Sequence, residues 1–416
     1  MARPRSLVFA GQDDSSQDYA SWYNITVDNP FHYGSAVTAE RFTDRRHELR
    51  ILTTCMRQGQ NVILLSPRRY GKTSLLKRAA EEVSQAGGRV GMANLIQCSS
   101  RKEVAEELTT AIARGPLGRV SAGLEELRRH LAELRPNLSV EAHGIRITLM
   151  PSTPESDWTE EIKASLRILS KVHKRNQPVS LVIDEFQRSA EIDPGLPGVF
   201  KAMVDELEQV SLVFAGSRRH LMEELTLGPG APLLGVGQRL NLEPIPREEM
   251  APFLIERAQA GGKRLSEDVA AHIYELAHGI PNHVQQIAFW AFAETGRTIG
   301  EPAVQHALEA ILRVSAVDFS ESFERLAPAQ QRLIRALARE PAKDPYSRRF
   351  SGQLDVANPS VTRKALQRLE ELELIELGPD GWRVANPFFE RWLVAGSALD
   401  WDGSALDWDG GPEGEG

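Results

Sequence analysis

The segment SPRRYGKTS at residues 66–74 constrains this chain more than any other. An apolar run, NVILL at 61–65, precedes it, and residues 73–83 follow with helical periodicity. Strand, loop and helix in that order turn the loop N–H groups and the helix N-terminus inward, where they can wrap a polyphosphate. Gly71 lets the backbone approach closely, Lys72 reaches toward β- and γ-phosphates, and the Thr73 hydroxyl suits Mg²⁺. Pro67, Arg68, Arg69, Tyr70 and Ser74 complete the loop. Ser66 replaces the first glycine of the pattern GxxxxGK[ST], so the strict motif is not met, and a basic solvated turn is the competing reading.

A second signal weakens that competitor. The continuous apolar run at 179–183 reads as a strand covered on both faces, and it ends in Asp184 and Glu185. A carboxylate at the tip of such a strand can orient the water shell of Mg²⁺, and its neighbour can activate an attacking water. Asp184 takes the first role and Glu185 the second, although acids after a strand also commonly cap the next helix. Another run, 210–215, leads to Ser217, placed to sense a γ-phosphate or position water. Arg218 or Arg219, or Arg239 further on, can serve a neighbouring subunit as an arginine finger. A surface arginine pair capping a loop is the plain alternative.

Around these segments the chain alternates. Helical spacing starts near Arg45, with Leu49, Leu52 and Met56 on one face, and a β-like run at 90–96 precedes a helix at 100–113. Residues 115–151 read as an insertion holding a Leu-rich helix at 124–134 and an alternating stretch at 140–149. A helix at 159–173 then leads to the acid-tipped strand. This is the alternation of an α/β domain with a mainly parallel sheet, over 29–245. Residues 246–320 turn helical, with Val269, Ile273, Leu276 and Ala277 on one face, and form a helical lid.

The last globular part, 321–394, reads as a winged helix. It has a helix at 331–339 with Leu333, Ile334 and Leu337 inward, and a helix at 360–372 capped by Ser360, bearing Val361, Leu366, Leu369 and Leu372. Two short β-like pieces, 374–377 and 382–385, flank a Pro379, Asp380, Gly381 turn. The polar lead-in, 1–28, and the tail, 395–416, are expected to lack fixed structure. The tail holds a direct repeat, SALDWDG, whose two Trp among acids suit docking on a protein partner.

Taken in order, these segments resemble the archaeal-type STAND group of AAA+-related P-loop ATPases. The resemblance spans about 29–394 and is carried by NPF at 29–31, FTDRRHEL at 42–49, the PRRYGKT loop, DEFQ at 184–187, Gly216 with Ser217, and GIP at 279–281. It implies a fold of P-loop NTPase sheet domain, helical lid and winged helix, with ATP and Mg²⁺ at the junction of the first two. It also implies that Phe42 and Arg45 line the adenine side and that Pro281 touches the nucleotide from the lid. Asp44 and Arg46 depart from the family's lead-in, which has Gly and Glu there.

Composition sets the remaining bounds. With 49 Lys+Arg against 57 Asp+Glu in 416 residues, a wholly basic nucleic-acid-coating protein is excluded, but a local basic face is not. Arg348, Arg349, Arg363, Lys364 and Arg368 place such a face on the winged helix, making DNA a candidate partner. Cys55 and Cys98 are too few for a disulfide framework or a zinc site. No apolar stretch is long enough for a membrane span, and a cytoplasmic location is expected. The expected function is a slow ATPase acting as a nucleotide-dependent oligomerisation switch, forming a homo-oligomer with ATP. The alternatives are a DNA loader or remodeller and a scaffold that binds ATP without hydrolysing it.

Overall fold

Five parallel strands, numbered in chain order, build the main sheet: β1 (Val62–Leu65), β2 (Arg89–Asn94), β5 (Val179–Asp184), β6 (Val210–Gly216) and β7 (Gln238–Asn241). Their order is β2-β5-β6-β1-β7, so β6 lies between the strand feeding the phosphate loop and the strand carrying the acids. In register, Leu65 pairs with Gly216 and Ile183 with Phe214. Parallel pairing therefore brings Ser66, Asp184 and Ser217 to the same end of the sheet, where β1, β5 and β6 finish. The computed structural model describes residues 29–34, 45–117, 136–141, 144–149, 158–174, 176–347, 350, 359–378 and 380–395; at 136–141, 144–149 and 359 only the backbone is described.

The side-chain period of two explains how four residues of β1 serve two cores. Val62 and Leu64 pack on one face with Leu52, Met56, Leu75 and Leu76, from the helices Arg46–Arg57 and Lys72–Gln85. Ile63 and Leu65 pack on the other with residues of the helices Arg101–Ile112, Trp158–Val172 and Leu196–Glu206. Phe186 sits at the centre of that second layer, edge-on to Phe200 and Phe214 at centroid distances of 5.2 and 4.7 Å. It is fully buried, and truncating such a ring costs about 3–5 kcal/mol. This anchor fixes the residues on either side of it.

The insertion holds an antiparallel hairpin, β3 (Pro136–Glu141) with β4 (Gly144–Leu149). The alternating stretch expected at 140–149 covers the end of the first arm and all of the second; Leu138 and Val140 pair in register with Ile147 and Ile145. The expected helix at 124–134 lies outside the described residues, as do the lead-in 1–28 and the tail beyond 395.

The lid is helical: Arg247–Ala260, Glu267–Leu276, Pro281–Ala293 and the start of Glu301–Glu324 share one core. Two-residue strands β8 (Arg264–Leu265) and β9 (Thr298–Ile299) tie it together. Val269, Ile273, Leu276 and Ala277 face inward as their spacing predicts. Phe31 also belongs to this core, 5.9 Å from the Phe292 ring, and Asn29 donates to the Phe289 carbonyl. The NPF segment thus straps the lid.

The winged helix comprises the helices Pro328–Arg339, Pro359–Glu371 and Pro387–Ala395 with the hairpin β10 (Ile375–Gly378) and β11 (Gly381–Val384). Leu333, Ile334 and Leu337 are buried as expected. The second helix differs in two respects. It begins at Pro359, which places Ser360 inside its first turn. Its buried stripe runs through Thr362, Ala365, Leu366 and Leu369, leaving Val361 and Leu372 exposed, because helical spacing from Leu369 and Leu366 leads back to 362.

Candidate phosphate-binding site

The loop after β1 adopts a conformation that its residue types only partly favour. Gly71 lies at φ +88° and caps the helix Lys72–Gln85, where a glycine carries no Cβ penalty. Arg69 lies at φ +71°, a region that a branched or bulky residue enters only under constraint. Ser66 is fully buried, donates its backbone N–H to Gly216 and its hydroxyl to the Pro67 carbonyl at 3.1 Å. A serine is therefore accommodated at the place of the pattern's first glycine with its hydroxyl satisfied.

Five polar side chains converge at this loop. The Lys72 ammonium binds Asp184 directly and Glu185 Oε1 at 2.8 Å. The Thr73 hydroxyl donates to Asp184 Oδ2 at 3.3 Å, and the Ser217 hydroxyl to Glu185 Oε2 at 2.8 Å. The three segments read from sequence therefore meet in space. Burial on its own would raise the Glu185 pKa; the Lys72 charge and the hydrogen bonds from Lys72, Gln187 and Ser217 overcome it and hold the carboxyl below its usual range. Glu185 itself lies at φ +55°, another strained position, just past the end of β5.

Two oxygen donors side by side, the Thr73 hydroxyl and an Asp184 carboxylate oxygen, fit Mg²⁺, which prefers hard oxygen ligands and keeps several waters. Lys72 supplies positive charge against the same carboxylate. Among the described residues no cluster of three or more His, Cys, Asp and Glu side chains forms an all-protein metal cage.

The other expected residues fall into place as follows. Pro67, Arg68, Arg69 and Tyr70 line a cavity of about 900 Å³ that continues under the winged helix. Ser74 is buried in the first turn of the loop helix. Arg45 is buried, and its guanidinium donates to the carbonyls of Tyr70 and Glu243, each at 2.8 Å, so it clamps the loop backbone to the end of the sheet. Pro281 opens a lid helix, and the next N–H, of Asn282, donates to the Arg69 carbonyl. Phe42 lies outside the described residues.

The arginines read as finger candidates are held by acids of the same chain. Arg218 pairs with Glu191, and Arg219 and Arg239 share Glu223 at 3.0 and 3.4 Å.

Sequence reading missed the residues that meet the loop from outside. The Tyr70 hydroxyl donates to Glu376 on β10, and Arg383 on β11 grips the same carboxylate at 2.6 Å. Arg68 pairs with Glu373 at 2.7 Å, and Arg69 lies 3.3 Å from the His283 ring nitrogen. Nothing local in the sequence marks these residues, since each is an ordinary surface type made special by docking. Gln187 was also overlooked, although it stands inside DEFQ. Its amide donates to Glu185 Oε2 at 2.6 Å.

Strand order, phosphate loop and acid pair together define a P-loop NTPase of the AAA+ type with a helical lid and a C-terminal winged helix. Residues 42–287 match the family described as an ATPase domain predominantly from Archaea, and residues 317–395 match a probable winged helix domain. The chain belongs to that archaeal ATPase family.

Among solved structures it is similar to a Walker-type ATPase of Pyrococcus abyssi, with 18% identity over 88% of this chain and 99% of that one and a TM-score of 0.62. It is also similar to the ORC1 protein of Aeropyrum pernix in complex with DNA, at 16% identity, 86% and 93% coverage and a TM-score of 0.45. The RuvB Holliday junction branch migration motor of Thermotoga maritima follows at 13%, 83% and 94%, and 0.41. These likenesses are of fold alone. No curated protein matches the chain. No helix among the described residues is long and apolar enough to cross a membrane.

Proposed function

We propose that this ATPase works as a slow, nucleotide-dependent switch whose moving part is the winged helix. The observation that carries the reading is that the phosphate loop is itself bonded to the wing, through Tyr70 to Glu376 and Arg68 to Glu373. A ligand shifts a conformational equilibrium only through contacts that differ between its states. A triphosphate in the loop competes with Glu373 for Arg68 and disturbs Tyr70, so loading favours release of the wing. Released, the winged helix and the surface under it are free for a second subunit or another partner, such as one docking the acidic Trp-repeat tail. This supports a homo-oligomer in the ATP state.

Within the site, Lys72 would leave the two acids for the phosphates, and Thr73 and Asp184 would hold Mg²⁺. That ion, when bound, neutralises phosphate charge. Glu185 takes a proton from the attacking water, and Ser217 orients on the γ-phosphate. Arg218, Arg219 and Arg239 are the candidate fingers, each requiring release from its glutamate first. Slow turnover is supported by the way both oxygens of Glu185 are occupied, by Lys72 on one side and by Gln187 and Ser217 on the other. Phe42, Arg45 and Pro281 remain the proposed adenine-side contacts, Arg45 acting through the loop backbone.

A second reading has its own support. Arg363, Lys364 and Arg368 are exposed on the helix Pro359–Glu371, a basic face suited to duplex phosphates in a DNA loader or remodeller; Arg348 and Arg349 lie outside the described residues. Particle mass and scattering radius, recorded with ATP, ADP and no nucleotide, each with and without duplex DNA, separate the readings. Expansion or assembly with ATP and no DNA supports the switch; salt-sensitive DNA binding supports the loader. ATP binding without turnover or change of shape leaves the scaffold.

A further inference from the structure

Glu185 has three hydrogen-bond partners, and they are not equivalent. On the ATPase reading, Lys72 and Ser217, each bonded to Glu185 here, turn toward the phosphates in a loaded site. Gln187 is placed by the core instead. Its neighbour Phe186 is locked among Phe200 and Phe214, with its N–H on the Ala215 carbonyl at 2.8 Å. We propose that Gln187 is the positioning residue of the Glu185 base, holding one carboxylate oxygen so that the other faces the reacting water. This deepens the ATPase reading and rests on it.

Packing does not account for the residue. The Gln187 side chain is 2% exposed, and its Oε1 has no hydrogen-bond partner among the described residues. A buried amide with an unsatisfied carbonyl is less stable than a methionine or leucine of similar volume. The amide orientation is set by chemistry: reversed, its carbonyl would face a carboxylate that only accepts. Room for that carbonyl comes from Gly216, where a Cβ would lie 2.6 Å from Gln187 Oε1. The glycine before Ser217 therefore serves the amide as well as the strand end.

Consequences for Glu185 follow directly. Of its three donors, Gln187 is the one that stays when the others turn to phosphate. Without it, the carboxylate loses the donor that fixes one of its oxygens and gains rotational freedom.

The test uses the full chain carrying Gln187→Met or Gln187→Glu, with Glu185→Gln as reference. It reads kcat and KM for MgATP, the ATP dissociation constant, and the melting temperature of each protein. The expected result is a KM within about twofold of wild type and a kcat lowered about ten- to hundredfold, within the range of a misplaced general base. Gln187→Glu, which offers acceptors but no N–H, loses at least as much kcat as Gln187→Met. A kcat unchanged in both variants, or lowered only in step with KM or with the melting temperature, overturns the proposal. A wild type that binds ATP without turnover sinks the hydrolytic reading itself, an outcome distinct from an active wild type whose Gln187 variants are unaffected.

Discussion

The Tyr70 hydroxyl donates to the Glu376 carboxylate at 3.1 Å, joining the phosphate loop to the wing across 306 positions of sequence. Arg383 holds the same carboxylate, and both charged side chains are mostly buried, at 17% and 16% exposure. Removing the phenol oxygen loses its bond to Glu376 and a long one, 3.5 Å, accepted from Arg383, whereas removing the carboxylate strands a guanidinium. Tyr70→Phe is therefore expected to cost about 1 kcal/mol and Glu376→Ala about 3 kcal/mol in denaturant unfolding. Equal losses would show that Arg383 does not depend on Glu376.

Glu185→Gln keeps the hydrogen-bonding shape of the base and removes its proton affinity. ATP affinity is expected to stay within about threefold of wild type while hydrolysis falls by about a hundredfold or more. The variant should also trap the ATP-bound form, visible as a persistent shift in scattering radius. Hydrolysis at the wild-type rate would remove Glu185 from the base role.

Thr73→Val preserves shape and deletes the hydroxyl beside Asp184. Removing Mg²⁺ with a chelator should weaken ATP binding in wild type by about tenfold or more and change the variant far less. An undiminished Mg²⁺ effect in Thr73→Val would exclude Thr73 as a ligand.

A buried pair at the junction of lid and winged helix gives a pH test with opposing signs. Glu390 and His278 lie 3.5 Å apart, near Arg383 and Arg391. Burial pushes the Glu390 carboxyl up to about 7, against the pull of the two arginines. Burial, then the same arginines, holds His278 down to about 4. The raised Glu390 contributes stability that is full below pH 4.5, its unfolded value, and is lost as pH rises through 7. The depressed His278 contributes stability present above 6.5, its unfolded value, and lost as pH falls through 4.

In wild type the two slopes largely cancel between those unfolded values. Glu390→Gln should leave a stability that rises with pH from 4 to 6.5, and His278→Asn one that falls from 4.5 to 7, each by about 3 kcal/mol. Asn is chosen because His278 lies at φ +51°. Parallel profiles in both variants would refute the assignment.

The sheet and its site were legible because their signals are local. A continuous apolar run names a doubly covered strand, and glycine, lysine and threonine after β1 have few other reasons to stand together. Edge strand β7 went unread because only Leu240 of its four residues is buried, so it has no periodicity to show. Val361 was read as inward because period 3.6 fixes a stripe only to within a residue, and Thr362 takes the buried place. Glu373, Glu376 and Arg383 carry no motif at all. Their role arises from how the winged helix docks, a long-range fact that no window of sequence contains.

Calorimetric titration of MgATP into the full chain and into Lys72→Ala addresses the site most directly, with a melting curve of each to confirm folding. One molecule of ATP should bind each wild-type chain, and the variant should bind at least about a hundredfold more weakly, since it lacks the ammonium that the phosphates need. Equal affinity in the two folded proteins, or no binding to wild type, would contradict the account.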